Sequence, residues 1–142
     1  MSASERNARF RERHPNNSAV YSRRWREKNP EKVRAANLAR TLEEKRRAFA
    51  IIGSRCVRCG CDDVRPLETN HVDGGGSAEA RERIARGVGG PTWHAVLRGE
   101  RTTDGLNTLC RLCNALEYVE RRFPDLKGAW RIEWLVRPSV VG

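Results

Sequence analysis

Cys56-Val57-Arg58-Cys59 and Cys110-Arg111-Leu112-Cys113 are two C-x-x-C pairs separated by 50 residues, and their pairing decides how the chain is read. A two-residue spacer lets both sulfurs of a pair reach one tetrahedral ion at a Zn–S distance of about 2.3 Å. Two pairs complete a four-sulfur set, the closed kind of zinc site that braces a fold instead of catalysing a reaction. Disulfides are the competing reading. They fit poorly with five cysteines and with an N-terminus, Met1 to Arg13, that has no apolar segment of the kind that directs secretion. A redox motif would account for one pair and not for both. We expect one structural Zn2+ on Cys56, Cys59, Cys110 and Cys113, with Cys61 a plain free thiol. The separation exceeds that of simple zinc fingers, so an insertion must lie between the pairs.

The sequence around the pairs alternates short strand and helix signals. Gly53 ends a helical pattern, Pro66 to His71 reads as a short strand, and Gly74-Gly75-Gly76 follows as a turn. Residues 77–100 read as two short helices divided by Gly87-Val88-Gly89-Gly90-Pro91, and residues 106–109 as a second strand. Arg111 to Phe123 reads as a helix with Leu112, Leu116, Val119 and Phe123 as its apolar stripe, stopped by Pro124. Asn114 then lies opposite the stripe and faces outwards with Arg111, Tyr118 and Arg121. In the tail Trp130, Ile132, Trp134 and Val136 alternate, which predicts a final strand.

Upstream of the first pair the composition changes. The chain has 142 residues and a net charge of +10, and residues 1–55 carry 15 Lys/Arg against 6 Asp/Glu, a balance of +9. The length allows one domain with an appendage, and no apolar run approaches the roughly 18 residues of a spanning helix. Phe10-Arg11-Glu12-Arg13-His14-Pro15 aligns with Trp25-Arg26-Glu27-Lys28-Asn29-Pro30, a faint repeat too short for a solenoid. Asn29-Pro30-Glu31 reads as a helix start with Asn29 as N-cap. We expect a helix ending near His14, a second from about Ser18 to Lys28 and a third from Pro30 towards Ile51. Thr41 with Glu44 is a capping-box pair at which the third could break. The organisation is thus α+β: a basic helical arm at 1–52 and a zinc-braced domain at 53–142. The partner of such an arm is a phosphate backbone or an anionic membrane surface, and a merely solvated helical arm is the bland alternative.

Between the knuckles the residues become specific. Cys56-x-x-Cys59-Gly60, then Leu67-Glu68-Thr69-Asn70-His71-Val72-Asp73-Gly74, then Leu109-Cys110-Arg111-Leu112-Cys113-Asn114 resembles the HNH endonucleases, ββα-metal nucleases with zinc-binding Cys pairs, many of them phage-encoded or of the homing type. The resemblance covers about residues 56–120. The Asn-Pro-Glu-Lys stretch at 29–32 is similar to the basic segments found before such domains.

The resemblance implies a ββα-metal core that hydrolyses DNA phosphodiester bonds. It implies His71 as general base, a role that suits its unperturbed pKa of about 6.5. It implies Asn114 as a neutral oxygen ligand of a divalent Mg2+ or Mn2+ ion. Two positions depart from the pattern. Asn70 stands where the family usually has a charged Asp ligand. The family's middle Asn falls near Gly105, with Asn107 two residues later and able to orient His71 or the loop. Glu68 and Asp73 are nearby acids that could help the site.

Phosphate contacts are expected from Arg11, Arg23, Arg24, Arg26, Lys28, Lys32 and Arg34 on the arm and from Arg111 and Arg121 on the last helix. The Arg81, Arg83 and Arg86 cluster reads equally as phosphate-touching or as a solvated face, and His94 in its apolar helix reads as structural. The expected protein is cytoplasmic, in the host of a phage, and binds DNA and no membrane, with an oligomeric state the sequence leaves open and a monomer allowed. Two other readings stay open: a zinc-braced DNA-binding protein without catalysis, kept alive by Asn70, and an accessory nicking nuclease of phage DNA packaging.

Overall fold

The structure, a computed structural model, describes residues 2–14 and 17–133. Its elements, in order, are α1 (Ala3–Arg13), α2 (Asn17–Lys28), α3 (Pro30–Ile52), β1 (Leu67–His71), α4 (Gly76–Ala85), α5 (Thr92–Leu97), β2 (Leu106–Cys110) and α6 (Arg111–Arg122), followed by a 3-10 turn at Pro124–Leu126. Six helices and a single antiparallel strand pair among the described residues make it a mixed α+β protein. No described helix is long and apolar enough to cross a membrane.

The chain divides into two compact units, Met1–Arg40 and Thr41–Gly142. In the first, none of the described residues is buried, so its helices rest on local interactions. α1 opens with a capping box, in which the Ser2 hydroxyl accepts from the Glu5 amide and the Glu5 carboxylate accepts from the Ser2 amide. Between α2 and α3 the side chain of Asn29, expected as an N-cap, instead donates from Nδ2 to the Trp25 carbonyl at 2.8 Å and closes the end of α2. The Asn29 carbonyl accepts from the Val33 amide at 3.2 Å and starts α3.

α3 does not break at Thr41. It runs unbroken to Ile52, and Glu44 reaches instead to His94, Oε2 to Nε2 2.9 Å. Its last two turns bury Ala48 and Phe49 in the second unit, with Lys45 Nζ 5.9 Å from the centre of the Phe49 ring. Around them the core gathers Leu67 of β1, Leu109 and Cys110 of β2, Trp93 of α5, and Cys56, Cys61 and Cys113. β1 and β2 pair with Leu67 opposite Cys110, Asn70 opposite Asn107 and His71 opposite Leu106. Thr108 is fully buried because its hydroxyl donates to the Gly53 carbonyl at 2.7 Å. Gly53 sits at φ +145°, and a Cβ there would stand 3.3 Å from that hydroxyl, so the helix-to-loop junction requires glycine.

The expected C-terminal strand is not formed at Trp130 and Ile132. Residues 129–133 run without regular structure, with Ile132 against the core. Trp134 and Val136, like Pro15 of the arm repeat, lie outside the described residues.

Candidate metal centre and active site

The two cysteine pairs meet at one end of the strand pair, where Leu67, the first residue of β1, faces Cys110, the last of β2. The first sits on a tight knuckle closed by the Gly60 amide on the Cys56 carbonyl at 2.9 Å and the Cys56 amide on the Cys61 carbonyl at 2.8 Å. The second straddles the β2–α6 junction, where Cys110 ends the strand and its sulfur caps the helix by accepting from the Cys113 amide at 3.4 Å. The sulfurs of Cys56, Cys59, Cys110 and Cys113 all lie within 4.8 Å of one another. Cys59 and Cys110 Sγ are 3.7 Å apart, far beyond a disulfide and close to the edge of about 3.8 Å that a tetrahedron with Zn–S of about 2.3 Å would have.

All five cysteines are free thiols. Burial pushes the Cys113 and Cys110 thiols up from their ordinary range. At Cys56 burial is outweighed by backbone hydrogen bonds at Cys110, Cys59 and Arg58, which bring the thiol down to about 7. Four crowded, mostly buried sulfurs with amide donors among them are the donor chemistry of a structural Zn2+, which these residues could hold. Cys61 stands outside the set. Burial pushes it up to about 11, and its Sγ lies 3.7 Å from the Asp63 carbonyl.

The knuckle also fixes the rotation of α6. Cys113 is fully buried, so the positions three and four residues on, Leu116 and Glu117, turn inward with it. The expected stripe is therefore displaced: Leu112 is 63% exposed and Phe123 51% exposed. Asn114 does not face outwards but turns across β1, where Nδ2 donates to Glu68 Oε2 at 3.0 Å. Arg111 Nε donates to the other oxygen of Glu68 at 3.0 Å.

Two residues along the strand, buried Asn70 donates to Asn107 Oδ1 at 3.0 Å and to Glu117 Oε1 at 3.2 Å. Arg121 Nη2 donates to the same Glu117 oxygen at 2.7 Å and to the His71 carbonyl at 3.4 Å. Asn107 thus meets Asn70, its register neighbour.

Side chains alternate across a strand, so His71 lies on the opposite face of β1 from Glu68 and Asn70. Its Nε2 is 2.9 Å from Glu79 Oε2 on α4. Burial opposes ionisation of Glu79, but hydrogen bonds from Arg101 (3.0 and 3.1 Å) and from His71 outweigh it and hold the carboxyl below its ordinary range. An ionised Glu79 only accepts, so Nε2 carries a proton, and in the neutral form of the ring the lone pair is on Nδ1. Nδ1 faces the start of α4, where a Cβ at Gly76 would stand 2.7 Å away.

Among the expected phosphate contacts, Arg23, Arg24, Arg26, Lys28 and Lys32 are exposed. Arg34 pairs with Glu31 at 2.9 Å, and Arg11 bonds the Asn7 carbonyl at 3.2 Å. Arg83 separates from Arg81 and Arg86. It is 6% exposed and holds the Gly90 carbonyl and Thr92 Oγ1, each at 3.3 Å. Glu79, Arg101 and Glu117 escaped the sequence reading. Glu79 had one signal, an acid in the first turn of the helix after the glycine turn, and Glu117 another, its place three residues after Asn114. Arg101 lies in an irregular loop and had none. No family model, curated protein or solved structure matches the chain.

Proposed function

We propose that the chain is an HNH-type endonuclease that hydrolyses DNA phosphodiester bonds, with a zinc-braced ββα-metal core and a basic arm that holds DNA. The observation that carries this reading is a single juxtaposition. The strand bearing Asn70 and His71 pairs with the strand whose last residue, Cys110, opens α6 and belongs to the four-sulfur cluster.

In this reading His71 Nδ1 takes a proton from water. The resulting hydroxide attacks phosphorus, the bond to the 3′ oxygen breaks, and that oxygen takes a proton from a second water, giving 5′-phosphate and 3′-hydroxyl ends. Glu79, braced by Arg101, keeps the imidazole in the tautomer that can accept. A divalent cation, when bound, supplies charge stabilisation at the phosphoryl and leaving oxygens. The oxygens of Glu68, Asn70, Asn114 and Glu117 are hard donors suited to Mg2+ or Mn2+. To hold such an ion, Glu68 and Glu117 would exchange the Arg111 and Arg121 guanidiniums for it. Those two arginines would then be free for phosphate.

The test is plasmid nicking or cleavage with Mg2+ or Mn2+, by wild type and by His71→Ala. We expect the variant to lose about 100-fold or more in rate at unchanged zinc content. Equal rates would remove His71 from its role.

The ion pairs on Glu68 and Glu117, both asparagine amides turned to carboxylates, and the placement of this cluster across β1 from His71 favour a second reading: a zinc-braced DNA-binding protein without chemistry. Salt-sensitive DNA binding, full zinc content and no cleavage with any divalent metal would select it.

A further inference from the structure

In the first unit α2 and the start of α3 border a groove of about 400 Å³, within the range of pockets that take small ligands. Tyr21 and Trp25 form one wall. They stand four residues apart on one face of α2 and are 71% and 44% exposed. Val33 and Ala36 of α3 add apolar lining, and Arg26 and Lys32 line the groove as well, with Ser22 and Asn37. Two aromatic rings left in solvent on a charged helix have no core to serve, because none of the described residues of this unit is buried. The walls are tied together at their base. Asn29 holds the Trp25 carbonyl through its side chain and the Val33 amide through its own carbonyl, and Pro30 fixes the turn. Of the two acids nearby, Glu31 is paired with Arg34, and Glu27 follows Trp25 by two positions and so points elsewhere on the helix.

We infer that this groove takes an unpaired base of DNA, stacked on Trp25 and Tyr21, with the adjoining phosphates on Arg26 and Lys32. A slot lined by aromatic and apolar side chains and by two cations is complementary to a flat ring attached to an anion. Bases within a duplex are stacked and paired, and their faces cannot enter such a slot, so the base must be extruded or single-stranded. The inference rests on the reading of this unit as a DNA-holding arm and deepens it. The arm does more than neutralise phosphates: it selects DNA whose stacking is interrupted.

The experiment measures binding of the zinc-loaded full-length protein to three fluorescein-labelled DNAs by anisotropy: a perfect duplex, the same duplex with one bulged base, and a single strand. We expect wild type to bind the bulged duplex about tenfold or more tightly than the perfect one, in keeping with stacking worth about 1–3 kcal/mol per base. Trp25→Ala and Tyr21→Ala should each remove most of that preference and leave perfect-duplex affinity unchanged. Trp25→Phe, which keeps an aromatic face, should retain it. The preference should persist as salt is raised, because both duplexes offer the same phosphates and stacking releases no counterions. Equal affinity for the two duplexes, or a preference that survives both alanine variants, overturns the base slot while leaving the arm's phosphate grip intact. No binding to any of the three DNAs overturns the grip as well. Binding of an acidic, apolar peptide in the slot in place of DNA would reassign it to a protein partner.

Discussion

At Gly76 the absence of a side chain is a requirement of the histidine opposite. A Cβ there would stand 2.7 Å from His71 Nδ1, closer than such contacts allow, so the ring would have to leave Glu79. On the nuclease reading proposed above, Gly76→Ala should therefore abolish cleavage while zinc content and far-UV circular dichroism stay at wild-type values. Glu79 gives a second measurement, which needs no catalysis. Its folded carboxyl lies below the ordinary value of 4.5, so the unfolded chain takes up its proton first as the solution is acidified. The stability it contributes is present above that ordinary value and is lost as pH falls through the folded one. The urea midpoints of wild type and Glu79→Gln should differ at neutral pH and converge in acid. At this scale legibility was uneven. The spacing of Cys56, Cys59, Cys110 and Cys113 was enough to bring four sulfurs together, because two residues is the span of a knuckle. The partner of His71 was not readable, because Glu79 reaches it, and Arg101 reaches Glu79, from an insertion whose path no local pattern encodes.

Among the elements, α6 shows how a residue of the sulfur cluster overrides an apolar pattern. Its hydrophobic residues describe one face, but Cys110 caps the helix and Cys113 is drawn into the sulfur cluster, and these two contacts set the rotation. Leu112 and Phe123 are left in solvent, and Asn114 and Glu117 turn to β1. The sequence pattern predicted the helix and its ends to within a residue but gave its facing wrongly, since amphipathicity records only average burial. If the cluster holds zinc, a strong chelator should release one ion per chain and loosen α6 along with the knuckle. Hydrogen exchange at Cys113 to Glu117 should then accelerate together with exchange at Cys56 to Gly60. Exchange that changed at one knuckle alone would mean the pairs do not share an ion.

For the whole molecule, the basic segment and the packed unit meet inside a helix, not at a linker. The sequence boundary at 52/53 followed Gly53, the end of the helical signal, whereas the contacts divide after Arg40. Ala48 and Phe49 carry no mark that distinguishes them from the arm until the core they fill is seen. A truncation after Arg40 should retain zinc content and cooperative unfolding, and should weaken DNA binding while flattening its salt dependence. A cut at residue 50 would also remove Phe49, a loss worth about 3–5 kcal/mol by itself, and should leave little folded protein.

The 50 residues between the cysteine pairs have one more consequence. A shared ion would turn them into a ring closed at its base, with β1, α4, α5 and the Gly87–Gly90 turn strung along it. The entropy of closing such a ring grows only with the logarithm of its length, about 0.6 kcal/mol for each doubling. The segment can therefore lengthen at its glycine turn over evolutionary time at almost no thermodynamic cost. New surface could be added there without disturbing the clasp that holds the strand pair together.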